Sequence, residues 1–223
     1  MPSLQVITTF PQNRWDVYAK RMLQSHIDYW PDNVKITAYH EGPTPDLHHE
    51  KIEYVNTEKV NPDLVAFKNR HKNDPVANGE LQEIAGGARR HPSAGNNDRG
   101  KGSYLWDAVR FAHKTFAVDH AIKNIDVDYV LWLDADTYTF RSIPKDFVTN
   151  LLPFDKLVNY LGRGNKYPEC GWVCYNRRHV LIKKFMDTWT NLYKQDTIFK
   201  ELEWHDSYIS VSYTHLRAHE TCL

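Results

Sequence analysis

The sequence predicts an α/β fold with a mostly parallel β-sheet and helices on both of its faces. Strand, helix and strand patterns follow one another at the start of the chain, which is the order that builds parallel strand pairs. A continuous apolar run, Tyr129–Leu133, lies further along the chain, and such a run is typical of a strand that is covered on both faces. With 223 residues the chain has the length of one large domain.

The first part of the chain alternates short strand patterns with a helical pattern. Residues Leu4–Phe10 (LQVITTF) are apolar and β-branched, which predicts a buried strand. Asn13 can cap a following helix whose apolar residues recur at helical spacing, and Pro31 ends it. Residues 34–39 (VKITAY) and 51–55 (KIEYV) predict two further strands of the same sheet.

The later part of the chain begins with a glycine-rich stretch. Residues 78–102 hold six of the ten glycines, which predicts a long flexible insertion. Ser103 can cap a second helix, and the Tyr129–Leu133 strand follows that helix. Another strand is expected at 171–175, and a long amphipathic helix at 181–199.

Composition excludes several classes of protein. Lys plus Arg total 28 and Asp plus Glu total 28, so we expect no nucleic-acid partner, because such a partner requires a strongly basic surface. No apolar run approaches the roughly 20 residues of a transmembrane helix, and no signal segment opens the chain. Three cysteines are too few for a disulfide framework. We therefore expect a cytoplasmic protein without an integral membrane segment.

The end of the chain has an unusual sequence. Residues 211–221 (VSYTHLRAHET) resemble one translated frame of a transposase-type sequencing-library adapter. The expected organisation is therefore a single domain over residues 1–210, truncated at its C-terminus, followed by a non-native tail at 211–223. A genuine C-terminal segment is the alternative.

Two carboxylates directly follow the buried Tyr129–Leu133 strand. Asp134 and Asp136 stand at its carboxyl end, where open α/β sheets bind ligands. Paired carboxylate oxygens suit Mg²⁺ or Mn²⁺, and a cation also offsets the cost of burying two negative charges. The alternative is that both residues cap the next turn, with Thr137 and Arg141 as their partners.

Several segments in this order resemble a known family. Residues 129–137 (YVLWLDADT) resemble the DxD strand of GT-A-fold glycosyltransferases, which use a nucleotide sugar and a divalent metal. The preceding helix is placed like the family's helix whose basic residue approaches the nucleotide diphosphate. Residues 167–176 (YPECGWVCYN) are similar to the strand that lines the acceptor pocket, and residues 204–207 (WHDS) look like the family's late acidic motif. The resemblance covers most of residues 4–209 and is closest from residue 103 onward.

The resemblance implies a metal-dependent glycosyltransferase of hexosyltransferase type, with a nucleotide-sugar donor and a carbohydrate or other hydroxyl acceptor. It implies that Mn²⁺ or Mg²⁺ is held by Asp134 and Asp136, and His205 is a candidate for a further ligand because imidazole suits Mn²⁺. Asp206 is expected to be the catalytic base of an inverting enzyme, or to hold sugar hydroxyls in a retaining one. The residues expected at the nucleotide sugar are Thr8, Phe10, Lys101, Arg110, Lys114, Asp134 and Ala135. Those expected at the acceptor sugar are Glu169, Gly171 and Trp172.

Some of these residues also have plainer interpretations. His205 can be a hydrogen-bonding neighbour of Asp206 rather than a metal ligand. Trp172 can pack in the core of its strand rather than stack on a sugar. Glu169 can be a solvated turn residue.

Two other functions remain open at this stage. A phosphohydrolase of the haloacid dehalogenase type also has DxD after an apolar strand, but its pattern requires Thr or Val where this chain has Tyr138. The other is a GT-A-like module that binds a nucleotide or glycan without catalysing transfer, and truncation can leave this chain inactive even if its parent is an enzyme.

Overall fold

The computed structural model describes residues 2–83, 89–94, 103–144, 146, 150, 155–164 and 166–210. The predicted tail at 211–223, most of the predicted insertion at 84–88 and 95–102, and with it Lys101, lie outside the described residues.

Strands and helices are numbered in chain order. The strands are β1 (Leu4–Phe10), β2 (Ile36–His40), β3 (Ile52–Asn56), β4 (Gln82–Glu83), β5 (Arg89–Arg90), β6 (Tyr129–Leu133), β7 (Val158–Arg163) and β8 (Lys166–Asn176). The helices are α1 (Lys20–Tyr29), α2 (Thr57–Val60), α3 (Pro62–His71), α4 (Ala108–Asn124) and α5 (Ile182–Lys194).

The main sheet has six strands in the order β3-β2-β1-β6-β8-β7. Strands β3, β2, β1 and β6 pair in parallel, whereas β8 is antiparallel to both β6 and β7. The predicted α/β class with a mostly parallel sheet is therefore confirmed.

Helices cover both faces of this sheet, as predicted. Successive residues of a strand point to opposite faces, so Val6 and Ile7 are both fully buried but belong to different cores. The core around Val6 is closed by α1 and the turn before it, and the core around Ile7 by α3, α4 and α5. Among the described residues, no helix has both the length and the apolar character needed to cross a membrane.

Several elements differ from the sequence-based expectation. The sequence patterns did not predict helix α3, although Pro62 occupies a favourable position at its start. Helix α4 begins at Ala108 and is capped by Asp107, whose side chain accepts a hydrogen bond from the Arg110 backbone, rather than by Ser103. Strand β8 is longer than expected, because its first half pairs with the unpredicted edge strand β7.

The strand order reverses between β1 and β6, and the edge of the sheet at the carboxyl ends of these two strands is referred to as the crevice. The chain proceeds from β1 to β2 on one side, while β6 pairs with the other side of β1. Ligands of open α/β sheets bind at the carboxyl ends of the strands where the order reverses in this way. Asp134 and Asp136 follow β6 at this position.

Lys51 stabilises the end of α1 from the sheet side. Its buried ammonium donates hydrogen bonds to the carbonyl oxygens of Ile27 (2.9 Å) and Trp30 (2.8 Å). Because Lys51→Met leaves these carbonyls without that donor, we expect it to lower the free energy of unfolding by about 1–3 kcal/mol in urea titrations. The exposed control Lys35→Met should change it by less than about 0.5 kcal/mol. An equally small effect of Lys51→Met would contradict this assignment.

His26 makes stability depend on pH. Burial lowers the pKa of His26 from 6.5 to about 4, and its Nε2 lies 2.9 Å from the carbonyl oxygen of Val34. The folded state binds a proton on His26 more weakly than the unfolded chain does. The contribution of His26 to the free energy of unfolding is therefore complete above pH 6.5 and is lost as the pH falls toward 4.

We expect the wild-type free energy of unfolding to fall through this range by up to about 1.4 kcal/mol per pH unit for His26 alone. His26→Gln should show a shallower slope in urea titrations between pH 4.5 and 7. Some slope should remain, because burial also lowers the pKa of His113 to about 4. The exposed control His48→Gln should keep the wild-type slope, and a His26→Gln profile that overlays the wild type would refute the prediction.

Candidate active site at the carboxyl ends of β1 and β6

The backbone turns immediately after β6, and this turn separates the two carboxylates. The Thr137 N–H and hydroxyl both donate to the carbonyl oxygen of Asp134, at 3.1 Å and 2.7 Å. It is thus the carbonyl of Asp134, not its carboxylate, that closes the turn. Ala135 is buried, Asp134 is largely buried and Asp136 is exposed. The two carboxylates consequently have different environments.

The Asp134 carboxylate is held inside the crevice. Its Oδ1 accepts a hydrogen bond of 2.6 Å from the Trp132 indole N–H, and its backbone N–H donates to the Gly171 carbonyl oxygen at 3.0 Å. Burial raises the pKa of Asp134, while the nearby Lys114 ammonium opposes that increase. A largely buried carboxylate of this kind favours binding of a cation.

Lys114 is buried beneath Asp134. Its Nζ donates to the Cys170 carbonyl oxygen at 2.6 Å, forms an ion pair with Asp206, and lies 4.7 Å from the centre of the Trp132 ring. Burial alone lowers the pKa of Lys114, but the carboxylates of Asp206 and Asp134 outweigh it, so the pKa is raised. Lys114 is therefore a buried, charged residue with partners on three sides.

This placement differs from one sequence-based expectation and bears on another. Lys114 was expected to contact the nucleotide diphosphate, but its ammonium is enclosed and already donates to protein oxygens. Asp206 was expected either to be the base of an inverting enzyme or to hold sugar hydroxyls in a retaining one; its Oδ2 faces Lys114 and its Oδ1 accepts the Ser207 backbone N–H at 2.8 Å. A carboxylate with both oxygens engaged by donors is better suited to positioning than to taking up a proton.

Glu169 and Gly171, which were predicted at the acceptor, stand beside Asp134. Glu169 Oε1 accepts the Gly171 N–H at 2.9 Å, and Glu169 also pairs with Arg163. A Cβ atom at Gly171 would lie 3.2 Å from Asp134 Oδ2 and 3.1 Å from Glu169 Oε1. Gly171 therefore lets these two carboxylates lie closer together than a side chain at this position would allow. Trp172, next in β8, packs partly against the core on the α1 side.

The outer edge of the crevice carries residues that the sequence analysis missed. Burial raises the pKa of Tyr18 and Asp136 raises it further, whereas Arg110 and Arg14 lower it. These charged groups therefore interact electrostatically with the Tyr18 hydroxyl. Arg14 and Arg110 are both exposed. Arg110 was predicted at the nucleotide; Arg14 and Tyr18 could have been suspected because they follow β1, the strand beside the crevice.

The residues predicted at the end of β1 are enclosed. Phe10 is 2% exposed and packs on the Trp15 ring, with 5.7 Å between ring centres, so it is a core residue rather than a nucleotide contact. Thr8 is fully buried, and within the described part of the chain its hydroxyl has no hydrogen-bond partner.

His205 does not take the position expected for a metal ligand. Its Nε2 lies 2.7 Å from Glu203 Oε2, so it bonds to Glu203 rather than to Asp206 or to the Asp134–Asp136 pair. In the described part of the chain, no group of three or more His, Cys, Asp or Glu side chains could hold a metal ion. A metal bound here would have to take protein oxygens from Asp134 and Asp136 and complete its shell with water and substrate, as Mg²⁺ usually does.

Comparison with known proteins gives likenesses of overall structure only. No family model and no curated protein matches the chain. The galactosyltransferase LgtC, solved in complex with donor and acceptor sugar analogues, is 17% identical over 93% of this chain and 70% of its own length, with a TM-score of 0.43. The glycosyltransferase GlyE of Streptococcus pneumoniae is 12% identical over 94% of this chain and 42% of its own, with a TM-score of 0.46. At these low values, the function of this chain has to be inferred from its own residues.

The Lys114–Asp206 ion pair provides a test of this arrangement. Because Lys114→Met leaves the Asp206 and Asp134 carboxylates buried without their cation, we expect it to lower the free energy of unfolding by about 3–5 kcal/mol in urea titrations. In the double variant Lys114→Met/Asp206→Asn, the free energy of unfolding should fall by at least about 1 kcal/mol less than in Lys114→Met, since the second change removes one of the two negative charges. Equal losses in the single and double variants would show that the two side chains are not coupled.

Proposed function

We propose that this chain is a metal-dependent glycosyltransferase that transfers a sugar from a nucleotide-sugar donor to an acceptor hydroxyl. One observation carries the proposal: Asp134 and Asp136 stand at the carboxyl end of β6, beside the point where the strand order reverses. The GT-A-like sequence pattern around them supports it, as does Gly171, which lets the Asp134 and Glu169 carboxylates lie close to each other.

The two carboxylates fit Mn²⁺ or Mg²⁺ by the chemistry of their donor atoms. Asp134 supplies a buried oxygen whose negative charge needs compensation, and Asp136 supplies an exposed oxygen at the mouth. When bound, such a cation would offset the negative charge that develops on a departing nucleoside diphosphate. The identity of the metal and a hexose as the donor sugar are also part of this proposal.

Four other side chains of the protein have separate proposed roles. Arg14 and Arg110, which are exposed and interact electrostatically with Tyr18, are proposed to bind diphosphate oxygens, which is the role predicted for Arg110 from the sequence. Asp206 is proposed to orient Lys114 and the transferred sugar rather than to act as the base. Lys114 is proposed to hold Asp134, Asp206 and the β8 backbone in one arrangement.

Calorimetric titration with UDP-sugars and GDP-sugars, with and without Mn²⁺, tests the donor site. We expect binding that needs Mn²⁺ and that weakens at least about 10-fold in Asp136→Ala, because this variant loses a metal ligand. Asp136 is exposed, so its removal should leave the fold intact. Asp155→Ala, at an exposed aspartate in the segment before β7, is the matched control and should bind as the wild type does.

Other outcomes would identify a different function. Unchanged Mn²⁺-dependent binding in Asp136→Ala would refute the site assignment. Phosphatase activity through a phosphoaspartate would favour the haloacid dehalogenase type, and nucleotide binding without transfer to any acceptor would favour a non-catalytic module.

A further inference from the structure

Five rings form a cluster next to the proposed site. His205 lies at its centre, and the other members surround its ring with centres 5.3 to 6.4 Å away: Tyr104, Phe111, Tyr167 and Tyr208. Tyr167 and Tyr208 also contact each other edge to face, with ring centres 5.9 Å apart. We refer to these five residues as the aromatic cluster.

The cluster has a buried base and an exposed top. His205 is buried, and Phe111 and Tyr208 are partly buried. In contrast, Tyr104 is 53% exposed and Tyr167 is 46% exposed. Neighbouring aromatic residues that expose half of their surface over a packed base are typical of a binding surface rather than of a core.

The cluster is held rigidly. The Glu203 carboxylate fixes the His205 ring through Nε2. The segment that carries His205 is joined to the turn that carries Tyr104, because the Trp204 N–H donates to the Leu105 carbonyl oxygen at 2.8 Å. Trp106 Nε1 adds a second link, to the Leu202 carbonyl oxygen at 3.0 Å. The rings are thus positioned before any ligand arrives, which reduces the entropy cost of binding.

The cluster is continuous with the proposed reaction centre. His205 directly precedes Asp206, the partner of Lys114. Tyr167 lies on β8 two residues before Glu169, whose carboxylate faces Gly171 and Asp134. A molecule lying on Tyr104 and Tyr167 would therefore lie next to Asp206 and Glu169.

The charges around the cluster distinguish between possible ligands. Carboxylates of Glu203, Asp206 and Glu169 lie beside it. Because Asp206 pairs with Lys114 and Glu169 with Arg163, they leave no excess positive charge for a phosphate-bearing ligand such as a nucleotide or a phospholipid headgroup. They are good acceptors for hydroxyl groups, and aromatic faces pack against the apolar faces of pyranose rings. This combination suits a neutral polyhydroxylated ligand.

We propose that the aromatic cluster binds the acceptor and that the acceptor is a neutral saccharide. This inference rests on the proposed transferase function, and it specifies the acceptor class of the same site. Tyr104 and Tyr167 provide the stacking surface.

Saturation-transfer NMR with neutral disaccharides built from glucose, galactose, mannose or N-acetylglucosamine tests the proposal. We expect transfer from the wild-type protein to ring C–H protons of at least one disaccharide. Tyr167→Ala should weaken that binding about 5- to 10-fold through loss of the ring, whereas Tyr167→Phe should retain it. Tyr138→Ala is the matched control: Tyr138 is 49% exposed but lies under the Arg21 guanidinium in a cleft beside α1, and its loss should have no effect.

Mn²⁺-dependent nucleotide binding, measured on the same protein samples, separates the two proposals. If nucleotide binding persists but no disaccharide binds, or if Tyr167→Ala and Tyr104→Ala bind disaccharide as the wild type does, the saccharide-acceptor proposal is wrong and the transferase proposal stands. If the folded wild type binds no nucleotide sugar, the transferase proposal is wrong. Disaccharide binding that is lost in Tyr167→Ala would then still establish the cluster as a saccharide site.

Discussion

The buried ammonium of Lys114 is the group on which the rest of the site depends. It joins α4 to the β8 backbone through Cys170 and to the C-terminal segment through Asp206, and it lies over the Trp132 ring of the central strand. A buried charge that loses its partners costs several kcal/mol, so these elements cannot separate without a large penalty. The same charge opposes the effect of burial on the pKa of Asp134.

The local turn after β6 places the two carboxylates in different environments. Asp134 is directed inward, where Trp132 and Gly171 define its surroundings, whereas Asp136 is exposed and interacts electrostatically with Tyr18. A cation between them would meet an oxygen that the protein holds rigidly and another that can adjust to solvent and substrate. The crevice therefore has a preorganised inner side and an adaptable outer side.

The Lys114–Asp206 pair also links the two halves of the proposed reaction. The Lys114 ammonium interacts with the Asp134 carboxylate, and His205 of the aromatic cluster directly precedes Asp206. In the two proposals the exposed arginines bind the diphosphate and the aromatic faces bind the neutral sugar, so one ion pair supports both binding surfaces.

Residue patterns by themselves determined the α/β class, the β1 and β6 strands, and the acidic pair that follows β6, because alternation, apolar runs and local turns depend on neighbours in sequence. The tertiary structure alone decided that Phe10 is core, that His205 bonds to Glu203, and that Lys114 is buried rather than presented to a ligand. The partners of Lys114 are 56 and 92 residues away in the chain. Their contact depends on which strands and helices become neighbours in the fold, and no local sequence pattern records that.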